Sequence, residues 1–361
     1  MSAKLRILYV AYPLACVSLE SAGGAEQMLY VVEREIFLRG HATTVAACMG
    51  SQITGDLFPT GRVPCQPDRF AQRNAEHTAR VLGFLRCREK STQPFDLVHD
   101  KSGTFWPNAG EVDVPVLATL HLPRGFYSPH MFENIPPNVF FNCVSESQAR
   151  WFSDLPNDMG VVRNGIRLEQ FSPGTVRGDY LLWVGRFCYE KGAHLAIQAA
   201  QCAGLPLVLA GQIYPFSHHQ EYFEREIAPY LNTPGASVSY VDSPTADQKR
   251  TLLQNARAVL VPSIAEETSS LITMEASASG TPVIAFNRGA LPEVVAEGVT
   301  GFVVDSVEEM AAKVSAAGLI NPTACRRHAE LHYSSKRMAA EYERLYAAVT
   351  RAAEFRGLAA A

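Results

Sequence analysis

Short apolar runs, each followed by a stretch long enough for a helix, recur along the whole of this 361-residue chain. That alternation leaves few folds open. The first series comprises Leu5 to Ala11, Thr43 to Cys48, Asp96 to His99, Val116 to Leu120, Val139 to Val144 and Val161 to Val162. The second comprises Tyr180 to Gly185, Leu207 to Ala210, Val238 to Val241, Val259 to Val261, Val283 to Phe286 and Phe302 to Val304. Runs this short and this apolar read as strands buried on both faces, which is the habit of parallel sheets covered by crossover helices. The order strand, loop, helix, strand opens a doubly wound α/β sheet. A helix is expected from about Ala25 to Leu38, after the glycine turn Gly23-Gly24, and another from about Ser335 to Ala352.

The two series imply two domains, because a chain of this length exceeds what one core usually organises, and 47% hydrophobic residues are ample for burial. Asn164-Gly165 breaks the first series. The following segment, with Pro173, Gly174 and Gly178, has few apolar residues and reads as a linker. The expected boundaries are 1–165, a linker 166–178, 179–334, and a C-terminal helical segment 335–361.

Composition excludes several classes. A formal net charge of −4 argues against general nucleic-acid binding, which favours a basic face. The eight cysteines, at 16, 48, 65, 87, 143, 188, 202 and 325, form no C-x2-C pair and suit free thiols in a reducing cytosol. No uninterrupted apolar segment is long enough to span a bilayer, and the chain enters its first strand with no signal-peptide pattern. Ala193 to Ala210 is broken by His194, Gln198, Gln201 and Gly204 and reads as helix then strand.

The stretch Pro262 to Asp305 carries the most chemistry. After the run Ala258 to Pro262, Ser269 and Ser270 are natural caps for a helix through Leu271, Met274 and Glu275, closed by Gly280 and Pro282. Glu267 falls in the loop at the helix mouth and Glu275 about 7 Å along the axis, five residues past Ser270 at roughly 1.5 Å each. A helix N-terminus offers free amides and a positive dipole end to a phosphate. The two flanking carboxylates are acceptors for vicinal hydroxyls, one suited to a sugar and the other to a ribose. In Val184 to Gly192 a strand delivers Arg186 and Lys191 to the loop before a helix, where two fixed cations can hold a diphosphate as its bond to a sugar breaks. The plain alternative there is a solvated strand end with a surface salt bridge.

These motifs resemble those of the retaining, nucleotide-sugar-dependent glycosyltransferases of family four, and the likeness extends over nearly the whole chain. The resemblance implies a GT-B fold, two Rossmann-like doubly wound domains facing a central cleft, with the C-terminal helix crossing back to the N-terminal domain. Residue by residue it implies that Glu267 contacts the transferred sugar and Glu275 the ribose. Arg186 and Lys191 match the family's G-R-x4-K-G pattern, whose cations bind the donor phosphates. Gly23-Gly24-Ala25-Glu26 resembles the G-G-x-E turn beside the diphosphate and acceptor, and His121 stands where the family has a histidine near the transferred sugar. Val241 and Asp242 fall in the region that faces the base. Asn164-Gly165 resembles a turn at the domain junction. The family often has Phe-Gly-Leu after the first glutamate; here Ser269-Ser270-Leu271 takes its place, and the hydroxyls narrow the donor pocket.

The implied reaction moves a hexose-type sugar from a nucleoside diphosphate to an acceptor, with the anomeric configuration retained. No D-x-D motif is present and His218-His219 lacks the spacing and company of a metal site, so the chemistry is expected to need no metal and no cofactor. Nothing in the residues tells uracil from guanine or adenine, although a UDP-sugar is set ahead of GDP- and ADP-sugars. The acceptor, a sugar, a lipid-linked or a small molecule, is left to the N-terminal half, where Lys101 to Gly110 and Leu122 to Pro137, with Phe126, Tyr127 and Phe132, are the places to look. Packing would explain those aromatics as well.

The region Arg62 to Lys90 holds seven basic and three acidic residues, a solvated helix face or a peripheral contact with an anionic membrane. Three rival readings stay open. An NAD-dependent oxidoreductase fits poorly, because the first loop lacks G-x-G-x-x-G and the second strand ends without an acid. A nucleotide-sugar epimerase of the same fold and an inactive nucleotide-sugar-binding protein use the same residues.

Overall fold

The computed structural model describes residues 4–21, 23–63, 69–174, 177–231 and 237–357. Cys65, residues 175–176 of the expected linker and the alanine tail fall outside them. The chain divides into two compact units, one of residues 1–165 with 335–361, the other of residues 166–334.

In the first unit seven strands, β1 (Arg6–Val10), β2 (Ala42–Ala47), β3 (Asp56–Pro59), β4 (Leu97–Asp100), β5 (Val116–Thr119), β6 (Val139–Cys143) and β7 (Asp158–Val161), pair in parallel in the order β3-β2-β1-β4-β5-β6-β7. Strand β3 is the one the sequence did not announce. Its four residues Asp-Leu-Phe-Pro lie at the sheet edge, half-exposed, and lack the apolar run that marks a central strand. The helices are α1 (Gly24–Leu38), α2 (Phe70–Glu89) and α3 (Glu146–Trp151), joined by the C-terminal helix Ser335–Phe355. That last helix packs on α1 and buries Tyr342, Tyr346 and Val349. Its Tyr346 hydroxyl lies 2.7 Å from His99 Nδ1 and 3.0 Å from the Tyr9 hydroxyl.

Helix α2 spends its apolar face on the core, through Val81, Leu82 and Leu85, while Phe84 stacks on Phe58. Two of its basic groups, Arg73 and His77, also turn inward and meet the Thr60 hydroxyl at 3.1 and 2.7 Å. The surface that remains, with Gln72, Glu76, Arg80 and Glu89, is polar and mixed in sign.

The second unit holds six parallel strands, β8 (Leu181–Arg186), β9 (Leu207–Gln212), β10 (Val238–Asp242), β11 (Ala258–Val261), β12 (Val283–Phe286) and β13 (Gly301–Val304), in the order β10-β9-β8-β11-β12-β13. Its helices are α4 (Ala193–Ala203), α5 (Ser217–Glu226), α6 (Ala228–Leu231), α7 (Ala246–Asn255), α8 (Leu271–Ala278), α9 (Leu291–Val294), α10 (Val307–Ala317) and α11 (Pro322–His332); the C-terminal helix is α12. The two sheet faces are buried separately, one under α4, α5 and α10 and the other under α7, α8 and α11.

The segment expected to link the halves is packed into this unit. Ile166 and Phe171 are buried in its core, the Ile166 amide donates to the Tyr333 carbonyl at 2.7 Å, and Arg326 donates to the carbonyls of Leu168, Phe171 and Ala278. Burial of two large side chains, worth about 1.5–3 kcal/mol each, outweighs the sparse apolar content that suggested a free tether. The chain passes between the units at Gly165–Ile166 and again at Ser334–Ser335.

Both sheets reverse their winding once, between β1 and β4 in the first and between β8 and β11 in the second. In an open parallel sheet such a reversal leaves a crevice beyond the carboxyl ends of the two strands, where ligands settle. In the second unit the residues just beyond β8 and β11 are those singled out above.

Candidate donor site

Strand β8 ends at Arg186, and a 3-10 turn, Tyr189–Lys191, leads into α4. The turn closes on Gly192, at φ +68°, where an added Cβ would stand 2.1 Å from the Pro262 carbonyl oxygen beyond β11. Only glycine combines that conformation with that approach. The turn is tied to the second loop by the Ile264 amide, which donates to the Glu190 carbonyl at 2.9 Å, and to its own strand by Trp183 Nε1, which donates to the Lys191 carbonyl at 3.1 Å.

The consequence is that Lys191 Nζ donates to Glu267 Oε1 at 2.5 Å, with the Ser263 hydroxyl 2.6 Å from the same oxygen. The glutamate is held from behind as well. Gly289, at φ +55°, lets the turn after β12 lie so close that a Cβ there would be 2.2 Å from the Glu267 carbonyl oxygen, and the Ala290 amide donates to that carbonyl at 2.7 Å.

Helix α8 begins at Leu271 with Ser270 in the N-cap position, but the expected side-chain cap is absent. The Ser270 hydroxyl instead pairs with Thr273 Oγ1 at 2.8 Å. With the hydroxyl turned to a neighbouring side chain, Ser270 does not occupy a first-turn amide, and such amides suit an anion. Ser269 and Leu271 are half-buried at this mouth. One turn down, Glu275 is 6% exposed and receives Lys249 Nζ of α7 at 2.8 Å.

Arg186 takes a different partner. Its guanidinium lies over the Tyr214 ring at 5.4 Å. It also faces Glu190, whose carboxyl burial would push up, but which backbone and Cys188 hydrogen bonds and the Arg186 charge hold below the usual range. Val241 is half-buried and Asp242 exposed at the end of β10, where Asp242 accepts from the Tyr240 and Ser243 hydroxyls at 2.8 and 2.9 Å. Asp242, Gly211 and Gly185 lie in one register row, so Asp242 is about 10 Å across the sheet from β8 and makes no contact with the glutamate pair.

The remaining expected residues belong to the first unit. Gly23 caps α1 in extended conformation, and Gly24 opens the helix. Glu26 follows, 7% exposed, its carboxyl pushed up by burial. His121 stands one residue past Leu120 at the end of β5. Burial first, and then the charge of Lys101, hold its imidazole well below pKa 6.5, so it is neutral at physiological pH. The amides of His121 and Leu122 donate to the Tyr127 hydroxyl at 3.1 and 3.3 Å. Tyr127 and Phe132 are used in packing, against each other and Phe152, whereas Phe126 is 71% exposed.

Sequence reasoning missed Lys249, Ser263 and Gly289. Lys249 sits in a polar helix and looks like any solvated lysine. The turn Asn287-Arg288-Gly289 carried the one legible signal, a glycine just after a strand. It also misjudged His219, because its neighbours come from elsewhere in the chain: Cys188 Sγ, a Glu190 carboxylate oxygen and a His219 ring nitrogen lie within 4.8 Å of one another.

Residues 169–330, which include all of this donor-side cluster, match the family described as glycosyl transferases group 1. The match spans less than half of the chain, and it is a likeness of this unit to the group 1 glycosyl transferases. The chain is 29% identical over 263 residues to the D-inositol 3-phosphate glycosyltransferase of Mycolicibacterium paratuberculosis, an alignment covering 63% of the chain and 59% of the relative. The corresponding protein of Corynebacterium glutamicum is 27% identical over 280 residues, 64% of each. The chain thus spans less than two thirds of the length of these curated relatives. Among solved structures it superposes on sucrose-phosphate synthase of Thermosynechococcus elongatus with a TM-score of 0.77 at 20% identity, covering 97% of this chain and 100% of that one. It also superposes on Anabaena HepE in complex with UDP and glucose, with a TM-score of 0.72 at 15% identity, covering 95% and 100%. The chain therefore has the GT-B fold.

Proposed function

We propose that the protein is a retaining glycosyltransferase that moves a hexose-type sugar from a nucleoside-diphosphate donor to a hydroxyl acceptor, without a catalytic metal. The observation that carries this reading is the meeting of Lys191, Ser263 and Glu267 at the winding reversal of the second sheet, with the α8 N-terminus and the buried Glu275 beside them. Lys191, Arg186 and the α8 amides stabilise the diphosphate as the bond from the anomeric carbon to phosphate oxygen breaks. Glu267, with one oxygen engaged by a lysine and a serine, accepts hydrogen bonds from sugar hydroxyls and does not attack carbon. Glu275 serves the ribose hydroxyls, and Val241 and Asp242 border the base. The acceptor oxygen bonds the anomeric carbon on the face that the phosphate leaves, and its proton passes to the departing phosphate oxygen.

For the first unit we infer, from the family resemblance, a substrate-binding role for Gly23, Gly24 and His121, the last as a neutral hydrogen-bonding group. Uracil is the base we assign, in keeping with the UDP complex of HepE. We place the protein in the cytoplasm. Among the described residues the cysteines are free thiols, and no helix is long and apolar enough to cross a membrane.

The test is proton NMR of reactions with UDP-hexoses and a panel of sugar, polyol-phosphate and lipid-linked acceptors. A new glycoside with the donor's anomeric configuration is expected. An inverted product, or a donor epimerised with no acceptor present, would overturn the reading.

A further inference from the structure

Beside the phosphate loop lies a second constellation that the transfer step does not use. Cys188 and Glu190 flank Tyr189 on the turn after β8, and His219 comes from the first turn of α5. One ligand atom from each, the Cys188 sulfur, a Glu190 oxygen and a His219 nitrogen, lies within 4.8 Å of the others. Cys188 and His219 are 1% and 3% exposed and Glu190 is half-buried, whereas Tyr189 between the two loop residues is 59% exposed and faces solvent. His219 Nδ1 is sealed from solvent and has no hydrogen-bond partner among the described residues. A buried polar nitrogen left so costs about 1–3 kcal/mol, which something must offset.

We propose that Cys188, Glu190 and His219 bind a divalent transition metal of the zinc type, which fastens the phosphate loop to α5. The donor set selects the metal. Thiolate and imidazole favour zinc over magnesium or calcium, which take oxygen ligands. Zinc bonds of about 2.0–2.3 Å put tetrahedral ligand atoms about 3.5 Å apart, so side-chain movements of about an ångström close the site around the ion. The fourth position is left to water. Charge balances as well: a thiolate and a carboxylate neutralise the ion, the thiol proton passing to solvent. Arg186, now relieved of Glu190, keeps its charge for an anion. The metal takes no part in the chemistry proposed above, and its presence does not depend on that reading. Its effect is mechanical, because Lys191 follows Glu190 directly and a fixed turn holds the lysine on Glu267.

The test is a Co2+ titration of the full chain in a background with Cys65, Cys87 and Cys202 replaced by serine, so that only the buried and half-buried thiols remain, with metal content measured after dialysis. The expected result is about one Co2+ per chain with a near-ultraviolet thiolate-to-cobalt band, bleached by Zn2+. Cys188→Ser should abolish the band and His219→Gln should weaken uptake at least about tenfold. His328→Gln, removing one of the adjacent histidines His328 and His332 on α11, should change nothing. Absence of stoichiometric uptake by the folded parent overturns the proposal, whatever the variants do. Uptake indifferent to both Cys188→Ser and His219→Gln overturns it too, and donor binding measured in parallel reports separately on the transferase reading.

Discussion

Lys191 and Glu267, seventy-six positions apart in the chain, form an ion pair with Nζ 2.5 Å from Oε1 at the carboxyl ends of β8 and β11. Neither is fully sealed, the lysine side chain being 31% and the glutamate side chain 12% exposed. Each remains open to a ligand while its position is fixed by the other. A pair of this kind presents a cation to a diphosphate and a carboxylate to hydroxyls without reorganising when the ligand arrives.

Lys191→Ala should therefore lower kcat/KM for transfer about 10²- to 10³-fold, the cost of removing one preorganised stabiliser of the leaving group. Lys191→Arg should restore part of it. Steady-state kinetics decide the matter, and an alanine variant within a few-fold of the parent would remove Lys191 from the chemistry.

Lys249 and Glu275 make the deeper pair, and the role assigned to Glu275 is binding, not bond making. Lys249→Gln should raise donor KM more than it lowers kcat. It should also cost about 1–2 kcal/mol of stability, because it leaves a buried carboxylate without its partner while the lysine itself was partly exposed. Denaturant titration and donor kinetics on the same preparation read both effects.

Gly289→Ala tests the backing of Glu267. The residue sits at φ +55° and a Cβ would meet a backbone carbonyl, which cannot swing aside as a side chain can. Loss of at least about 1 kcal/mol is expected, together with a fall in transfer rate, since the loop carrying Glu267 must move. Unchanged stability and rate would show that the turn tolerates the shift.

His77 supplies a pH prediction for the first unit. Burial, and then the charge of Arg73, lower its pKa from 6.5 to about 4. The unfolded chain then binds a proton that the folded chain refuses, so stability is full above pH 6.5 and falls as the pH drops toward 4. At the lower end the loss is about 3 kcal/mol from this residue. His77→Gln should flatten that slope in denaturant titrations between pH 7.5 and 5; a slope unchanged by the substitution would assign the loss to other groups.

Strands buried on both faces are announced by their own composition; of the thirteen strands among the described residues, the edge strand Asp56–Pro59 was not announced and the edge strand Asp158–Val161 was met only at Val161, because neither carries a buried apolar run. Glu267, Glu275, Arg186 and Lys191 were legible for a related reason: in a doubly wound sheet the residues just past a strand end or at a helix mouth are where ligands gather. What was illegible depends on contacts between distant segments. Nothing around Lys249 says that it ends on Glu275. Nothing near His219 says that Cys188 and Glu190 meet it across two connections. The packing of Ile166 and Phe171 against the second core depends on partners such as Tyr333, more than a hundred and fifty residues downstream.

The most direct test of the account is thermal unfolding of the purified protein with UDP-, GDP-, ADP- and dTDP-sugars, with free nucleotides and NAD as controls, on the parent and on Lys191→Ala and Glu275→Ala. Ligand at a hundredfold its Kd adds about 2.7 kcal/mol of apparent stability. The account predicts a rise in Tm with UDP-sugars that shrinks in both variants. No rise with any nucleotide, a rise with NAD alone, or a rise of equal size in the variants would contradict it.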